Sequence, residues 1–264
     1  MLTLLLKETK KGRDVELTVS ESGLNVKRIS DEVEFQSSIH PIDFASYLFA
    51  CLADRTQERL LDRNAKYIYN GKEMPALFLV RPTSKGRGIE GDFGFRAVPA
   101  IITVQNYDHI NPIAFDAVLT ALDVMHVVSA LPDALPQPQN GWNLIAGTVF
   151  VSQENGKLLI RCGGSEPAEL TEDLRRLLVH RLARYLSGQY IDEEQSYSPS
   201  FFNRNGVLFN GRKNPRLRVH GITAPLNYQD VAALYLILRS MKGREVEETV
   251  ENTLQGGEAN ANAD

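Results

Sequence analysis

Four prolines, Pro41, Pro112, Pro167 and Pro225, each stand just ahead of a stretch with helical spacing of apolar residues and just after a block of strand-like sequence. Proline suits the first helical turn, because its missing N–H is one of the donors a helix start leaves unpaired and its fixed φ is already helical. The pattern predicts a strands-then-helix unit used four times. The units share no obvious identity, so what repeats is the pattern.

Length and composition set the frame for those units. A chain of 264 residues can bury a sizeable core as one large domain or two ordinary ones. A hydrophobic content of 43% with 23% charged residues is that of a soluble globular protein. The opening MLTLLLKETKKGRD is too short in apolar residues for a signal peptide or a membrane span, which points to a cytoplasmic protein without a membrane partner. Cys51 and Cys162 are the two cysteines, and without a secretory signal they read as reduced, buried thiols.

Along the chain, LTLLLKE, DVELTVS, GLNVKRI and EVEFQSS alternate with period two and predict an antiparallel meander of four strands. A first helix is expected from Pro41 to about Arg63, with Phe44, Tyr47, Leu48, Cys51 and Leu52 on one face. A second strand block follows in ALFLVRP and FGFRAVPAIITVQ, joined by the glycine-rich 85–94 segment, with Pro99 expected to mark a bulge or an edge. The second helix is expected after Asn111-Pro112, lined by Ile113, Phe115, Val118, Leu119, Leu122 and Met125. LPDALPQPQN, with three prolines in ten residues, reads as a stiff linker.

Beyond it, Glu154-Asn155-Gly156 joins two strands as a hairpin. A third helix is expected from Pro167 to Ser187, stopped by Gly188. GVLFNG and PRLRVHG form a further strand pair, and a fourth helix begins at Asn227, whose spacing to Asp230 resembles a capping box. Strands with hairpin-length turns predict an α+β fold of antiparallel sheets with helices. The expected organisation is an N-terminal half over 1–130, the linker over 131–140, a C-terminal half over 141–243 and a tail over 244–264.

The motifs that carry catalysis fail on context. Gly86-Arg87-Gly88-Ile89-Glu90-Gly91 fits the dinucleotide fingerprint in letters, but a strand-like segment follows where a helix is needed. Asp92-Phe93-Gly94 spells the kinase magnesium triplet without a catalytic loop to accompany it. His126 and His180 have no second ligand one helical turn away, and His40 and His109 read as solvated turn residues. No cofactor and no metal is implied, and nothing argues for an enzyme.

Charge is distributed unevenly. Residues 244–264 hold Arg244 and six acids, a net −5 against −4 for the whole chain, which leaves +1 on the other 243 residues. This acidic tail ends in GGEANANAD and is expected to be disordered. Residues 200–243 hold seven bases and one acid, a net +6. Within them Phe201, Phe202 and Phe209 interleave with Arg204, Arg212, Lys213, Arg216 and Arg218. Arginine and lysine supply phosphate contacts through counterion release, and exposed aromatics supply stacking of about 1–3 kcal/mol per base. In a PRLRVHG strand, Arg216 and Arg218 share one face while Leu217 and Val219 turn inward. Lys85, Arg87 and Arg96, with Phe93 and Phe95, form a second cluster. The alternative reading is a solvated sheet face with core phenylalanines.

Sheet-then-helix units in tandem, with basic aromatic strand sequence such as GVLFNGRKNPRLRVHG, resemble the Whirly family and the related positive-cofactor transcription proteins. The resemblance spans most of residues 1–243 and implies binding of single-stranded DNA. The Lys-Gly-Lys-Ala-Ala-Leu signature of the plant members is absent, so the resemblance assigns no individual contact. The acidic C-terminus is similar to those of bacterial single-stranded-DNA-binding proteins, in which such tails recruit partners or compete for the basic groove. Its end lacks their apolar residues. The expected function is binding of single-stranded DNA or RNA, without catalysis, through a basic aromatic sheet surface. A second reading, a structural or assembly subunit of a phage or multiprotein complex that self-associates, rests on the apolar fourth helix VAALYLILRSM.

Overall fold

Period-two alternation in the first 119 residues closes on itself. The computed structural model describes residues 1–83, 98–134, 143–146, 148–188, 206–211 and 214–241. Its first eight strands are β1 (Leu2–Glu8), β2 (Asp14–Ser20), β3 (Gly23–Arg28), β4 (Val33–Ser37), β5 (Leu60–Tyr69), β6 (Lys72–Pro82), β7 (Ala100–Asn106) and β8 (Ala114–Leu119). Each pairs antiparallel with the next, and β8 returns to β1, so the sheet is a closed barrel with no free edge. Both seams are short. β4 meets β5 through Glu34–Ile68, Phe35–Tyr67 and Gln36–Lys66, and β8 meets β1 through Lys7–Val118 and Glu8–Ala117.

The interior is filled by alternate side chains. Phe35, Phe78, Leu17, Ile102 and Leu119 are fully buried, and Ala65, Ala76, Ala100 and Ala117 make room for them. Gly23 opens β3 where a Cβ would lie 2.1 Å from the Ser37 carbonyl oxygen, with a φ of +124°, so only glycine fits. Asn70-Gly71 (φ 49° and 73°) turns β5 into β6 by the same Asn-Gly hairpin that Asn155-Gly156 (φ 50° and 78°) makes later.

Helix α1 (Pro41–Leu52) leaves the barrel between β4 and β5. Pro41 sits at its first turn, and the His40 ring accepts a hydrogen bond from the Ile42 amide at 3.2 Å, so His40 is a helix cap. The helix stops at Leu52, not near Arg63, because β5 begins at Leu60. Helix α2 (Ala121–Ala134) follows β8. Its start is set by Thr120 and Asp123: the Asp123 carboxylate accepts from the Thr120 amide and hydroxyl at 2.8 and 2.6 Å. The expected start at Pro112 is overturned, because Phe115, Val118 and Leu119 belong to β8. Leu122 and Met125, expected in the core, are 60% and 57% exposed, since the buried stripe runs through Val124, Val127, Val128 and Leu131. Of the expected linker, 131–134 complete α2 and 135–140 lie outside the described residues.

The rest of the chain adds two antiparallel sheets. β9 (Asn143–Ala146), β10 (Val149–Glu154), β11 (Lys157–Cys162) and β12 (Ala168–Glu169) form one, in the order β12-β11-β10-β9. β13 (Val207–Asn210), β14 (Arg216–Val219) and β15 (Ile222–Pro225) form the other. Between them runs α3 (Glu172–Leu186), capped by Thr171 rather than started at Pro167, because Ala168 is held in the sheet opposite Ile160. Pro225 likewise ends β15, so of the four prolines Pro41 alone occupies a first helical turn. The last helix, α4 (Tyr228–Ser240), carries the expected capping box, with Asn227 Oδ1 accepting from the Asp230 amide at 2.8 Å and Asp230 accepting from the Asn227 amide at 2.9 Å.

Helix α4 packs against α1, α2 and α3. Val231, Ala232, Ala233, Leu234, Leu236, Ile237 and Leu238 are all buried, as a helix apolar on nearly every face requires. One continuous hydrophobic core therefore runs from the barrel through the helices into both C-terminal sheets. The fold is α+β with antiparallel sheets.

Candidate nucleic-acid interface

The β13–β15 sheet has one face in the core and one in solvent. Val207, Phe209, Leu217, Val219 and Ala224 point inward and are buried. Arg216 and Arg218 stand exposed on the other face, with the register Leu208–Arg218–Thr223 and Asn210–Arg216–Pro225 placing small or neutral neighbours beside them. Two residues apart on one strand, their Cα atoms lie about 6.6 Å from each other. Neither guanidinium pairs with an acid among the described residues. His220-Gly221 (φ 43° and 87°) makes the tight turn into β15.

Phe209 is the correction within this site. It was expected as an exposed stacking ring, but it is 2% exposed and its ring meets the edge of Tyr185 at 6.2 Å. Its carbonyl also accepts from buried Arg181 at 3.2 Å. The two-residue period decides this: Phe209 lies opposite Leu217 on the inward row, on the opposite face from Arg216 and Arg218. Arg204, Arg212 and Lys213 lie outside the described residues, as do Lys85, Arg87 and Arg96 with the whole 84–97 segment, the tail from 242 onward, Phe201 and Phe202. Among the described residues, the candidate surface is thus an arginine pair, with Phe209 turned inward.

Other chemistry is accounted for structurally. Burial pushes the Cys51 and Cys162 thiols up to about 11, so both are held as thiols, and the Tyr47 hydroxyl is pushed up as well. Cys162 Sγ contacts the Leu217 carbonyl at 3.7 Å, linking β11 to β14. A cleft of about 180 Å³ between β11 and α3 contains Lys157 and Arg175. Its cations are already committed, Lys157 to Glu169 at 2.9 Å and Arg175 to Glu172 at 2.7 Å. Among the described residues no group of three His, Cys, Asp or Glu is placed to hold a metal. No helix among them is long and apolar enough to cross a membrane.

Compared with protein-family models, with curated proteins and with solved structures, the chain matches none.

A second surface, missed in the sequence, lies at the barrel end away from the helices. Strand direction alternates, so the β1–β2, β3–β4, β5–β6 and β7–β8 connections all emerge at one end, while α1 and α2 leave from the other. Just inside that open end, Arg28 binds Asp31 through two hydrogen bonds of 2.8 and 2.6 Å and lies 4.8 Å over the Phe115 ring. Arg28 holds the Asp31 carboxyl below the usual carboxylate range, and Asp31 in turn raises the guanidinium. The signal that could have found this end is the basic run Lys10-Lys11-Gly12-Arg13 between the first two strands.

Proposed function

We propose that the protein binds single-stranded nucleic acid without catalysing a reaction on it, and that the outer face of the β13–β15 sheet makes phosphate contacts. The observation that carries this reading is the pair Arg216 and Arg218, exposed side by side on one strand with no acid partner among the described residues. A paired arginine is neutralised where it stands, whereas an unpaired one on a flat sheet gains by releasing counterions from a polyanion. The flanking Arg204, Arg212 and Lys213 add to the same charge in sequence.

The element order supports the resemblance to the Whirly family on which the single-strand assignment leans. Four strands and a helix occur three times, and three strands and a helix close the chain, among the described residues. On this reading the two halves are variants of one sheet-and-helix plan. The alternative, an assembly subunit, drew on the apolar fourth helix, and that helix is buried within its own chain.

The test is fluorescence anisotropy of a labelled oligothymidylate of about 20 nucleotides, titrated across salt. Binding is expected at low salt. The double variant Arg216→Ala/Arg218→Ala should reduce the slope of log K against log salt by about 1.4, two contacts at about 0.7 each. Wild-type protein that gives no change at micromolar concentration ends the reading.

A further inference from the structure

The open end of the barrel carries an aromatic column that rises from the core to solvent. Phe115 meets Phe35 edge-on at 5.8 Å, Phe35 lies against Tyr67 at 5.1 Å, and Tyr67 stacks on Tyr69 at 6.2 Å with their planes 14° apart. Phe35 and Tyr67 are buried, while Tyr69 is 54% exposed. The last ring of the column is therefore near-parallel to a buried ring and half exposed to solvent. Tyr107, in the β7–β8 connection, is 49% exposed at the same end. A ring supported in this way loses little freedom when another flat ring is laid on it, which is the requirement for a stacking platform.

Charge at this end has a direction. Because the barrel closes in strand order, the four connections are spaced around the mouth with β1–β2 opposite β5–β6 and β3–β4 opposite β7–β8. Lys10 and Lys11 stand on the first of these and Lys72 on its opposite number, all exposed and paired with no described carboxylate. The other two connections hold the acids. Asp31 is engaged by Arg28 and by Arg13 at 3.5 Å, and Asp108 accepts the amides of Ile110 and Asn111 at 2.8 and 3.2 Å. The positive path thus crosses the mouth from one lysine hairpin to the other, and Tyr69 lies on it.

We infer that the barrel mouth is a base-stacking site for single-stranded nucleic acid, with Tyr69 as the stacking ring and Lys10, Lys11 and Lys72 as phosphate contacts. This rests on the single-strand reading of the β13–β15 face and supplies the aromatic element that buried Phe209 cannot. A linear polyanion can follow the lysine path and avoid the acidic connections. A flat anionic membrane would meet all four connections together, with the acids Glu32 and Asp108 among them, which disfavours a lipid surface even though Ile29 and Ile110 are exposed there.

The same oligothymidylate titration distinguishes the outcomes. Tyr69→Ala should weaken binding at least about fivefold, the low end of one lost stack. Tyr69→Phe keeps the ring and should stay within a factor of about two of wild type, which separates stacking from a general loss of structure. Lys10→Gln/Lys11→Gln should reduce the salt slope by about 1.4. If wild type binds and Tyr69→Ala binds equally well, the mouth is overturned while the Arg216–Arg218 face stands. Failure of wild type to bind removes both. Binding to phosphatidylserine vesicles that depends on Tyr69, without affinity for the oligonucleotide, would assign the mouth to lipid and overturn the inference.

Discussion

Asp62 is a buried carboxylate whose partners keep it charged. Its Oδ2 accepts from the Ser37 hydroxyl at 2.8 Å, the Ser38 amide at 2.9 Å and the Ser38 hydroxyl at 3.1 Å, and its Oδ1 accepts from the Asn64 amide at 2.8 Å. Burial alone would raise its pKa, but these hydrogen bonds outweigh burial and leave it below the ordinary 3.8. A carboxyl depressed in the folded state contributes stability above its unfolded pKa, and that contribution is lost as pH falls through the folded value. Wild-type melting temperature should therefore drop between about pH 5 and pH 2, and Asp62→Asn should be less stable at neutral pH with a flatter acid limb. Thermal melts across that range check both slopes; parallel curves would remove Asp62 from the acid response. None of this was legible in the chain. Asp62 stands where a helix was expected, and its donors Ser37 and Ser38 lie at the far end of the preceding strand.

The elements that could be read in advance are those whose signal is local. The first four strands, the Asn155-Gly156 hairpin and the Asn227–Asp230 cap each depend on residues within a few positions of one another. Helix starts assigned from proline fared worse, because the residue after Pro112 or Pro167 was free to extend into a sheet partner distant in sequence. Leu119 pairs with Ala100, and Ala168 with Ile160, so strand pairing overrode helical spacing. The cap at Asn227 gives a direct test. Asn227→Ala removes the side-chain acceptor for the Asp230 amide and leaves the backbone N–H of residue 227 as the remaining half of the box, donating to the Asp230 carboxylate. The expected cost is about 1 kcal/mol, within about 0.5–2, measured by urea unfolding. Asn227→Ser, which retains a cap, should recover most of it.

At the scale of the whole molecule, the deciding element is α4, the helix on which the barrel and the C-terminal sheets meet. Tyr228 at its start lies 6.2 Å from the Phe49 ring of α1 and donates to the Leu186 carbonyl of α3 at 2.7 Å. Near its end, Arg175 of α3 donates to the Leu238 carbonyl at 2.7 Å. Composition and periodicity suggested two halves joined by a proline-rich linker, since a sequence shows where chain flexibility lies but not which apolar faces meet. The continuous core predicts instead that the chain unfolds as one unit. Leu234→Ala, at a fully buried site in α4, should cost about 2–5 kcal/mol. The loss should fall equally on both ends of the molecule, because neither retains an independent cover for its apolar face. Native-state hydrogen exchange reads this directly: slow amides in β2 of the barrel and in β11 of the C-terminal sheet should lose protection by the same factor. If β2 keeps its protection while β11 loses it, the barrel folds alone, and the two-half organisation is the better description.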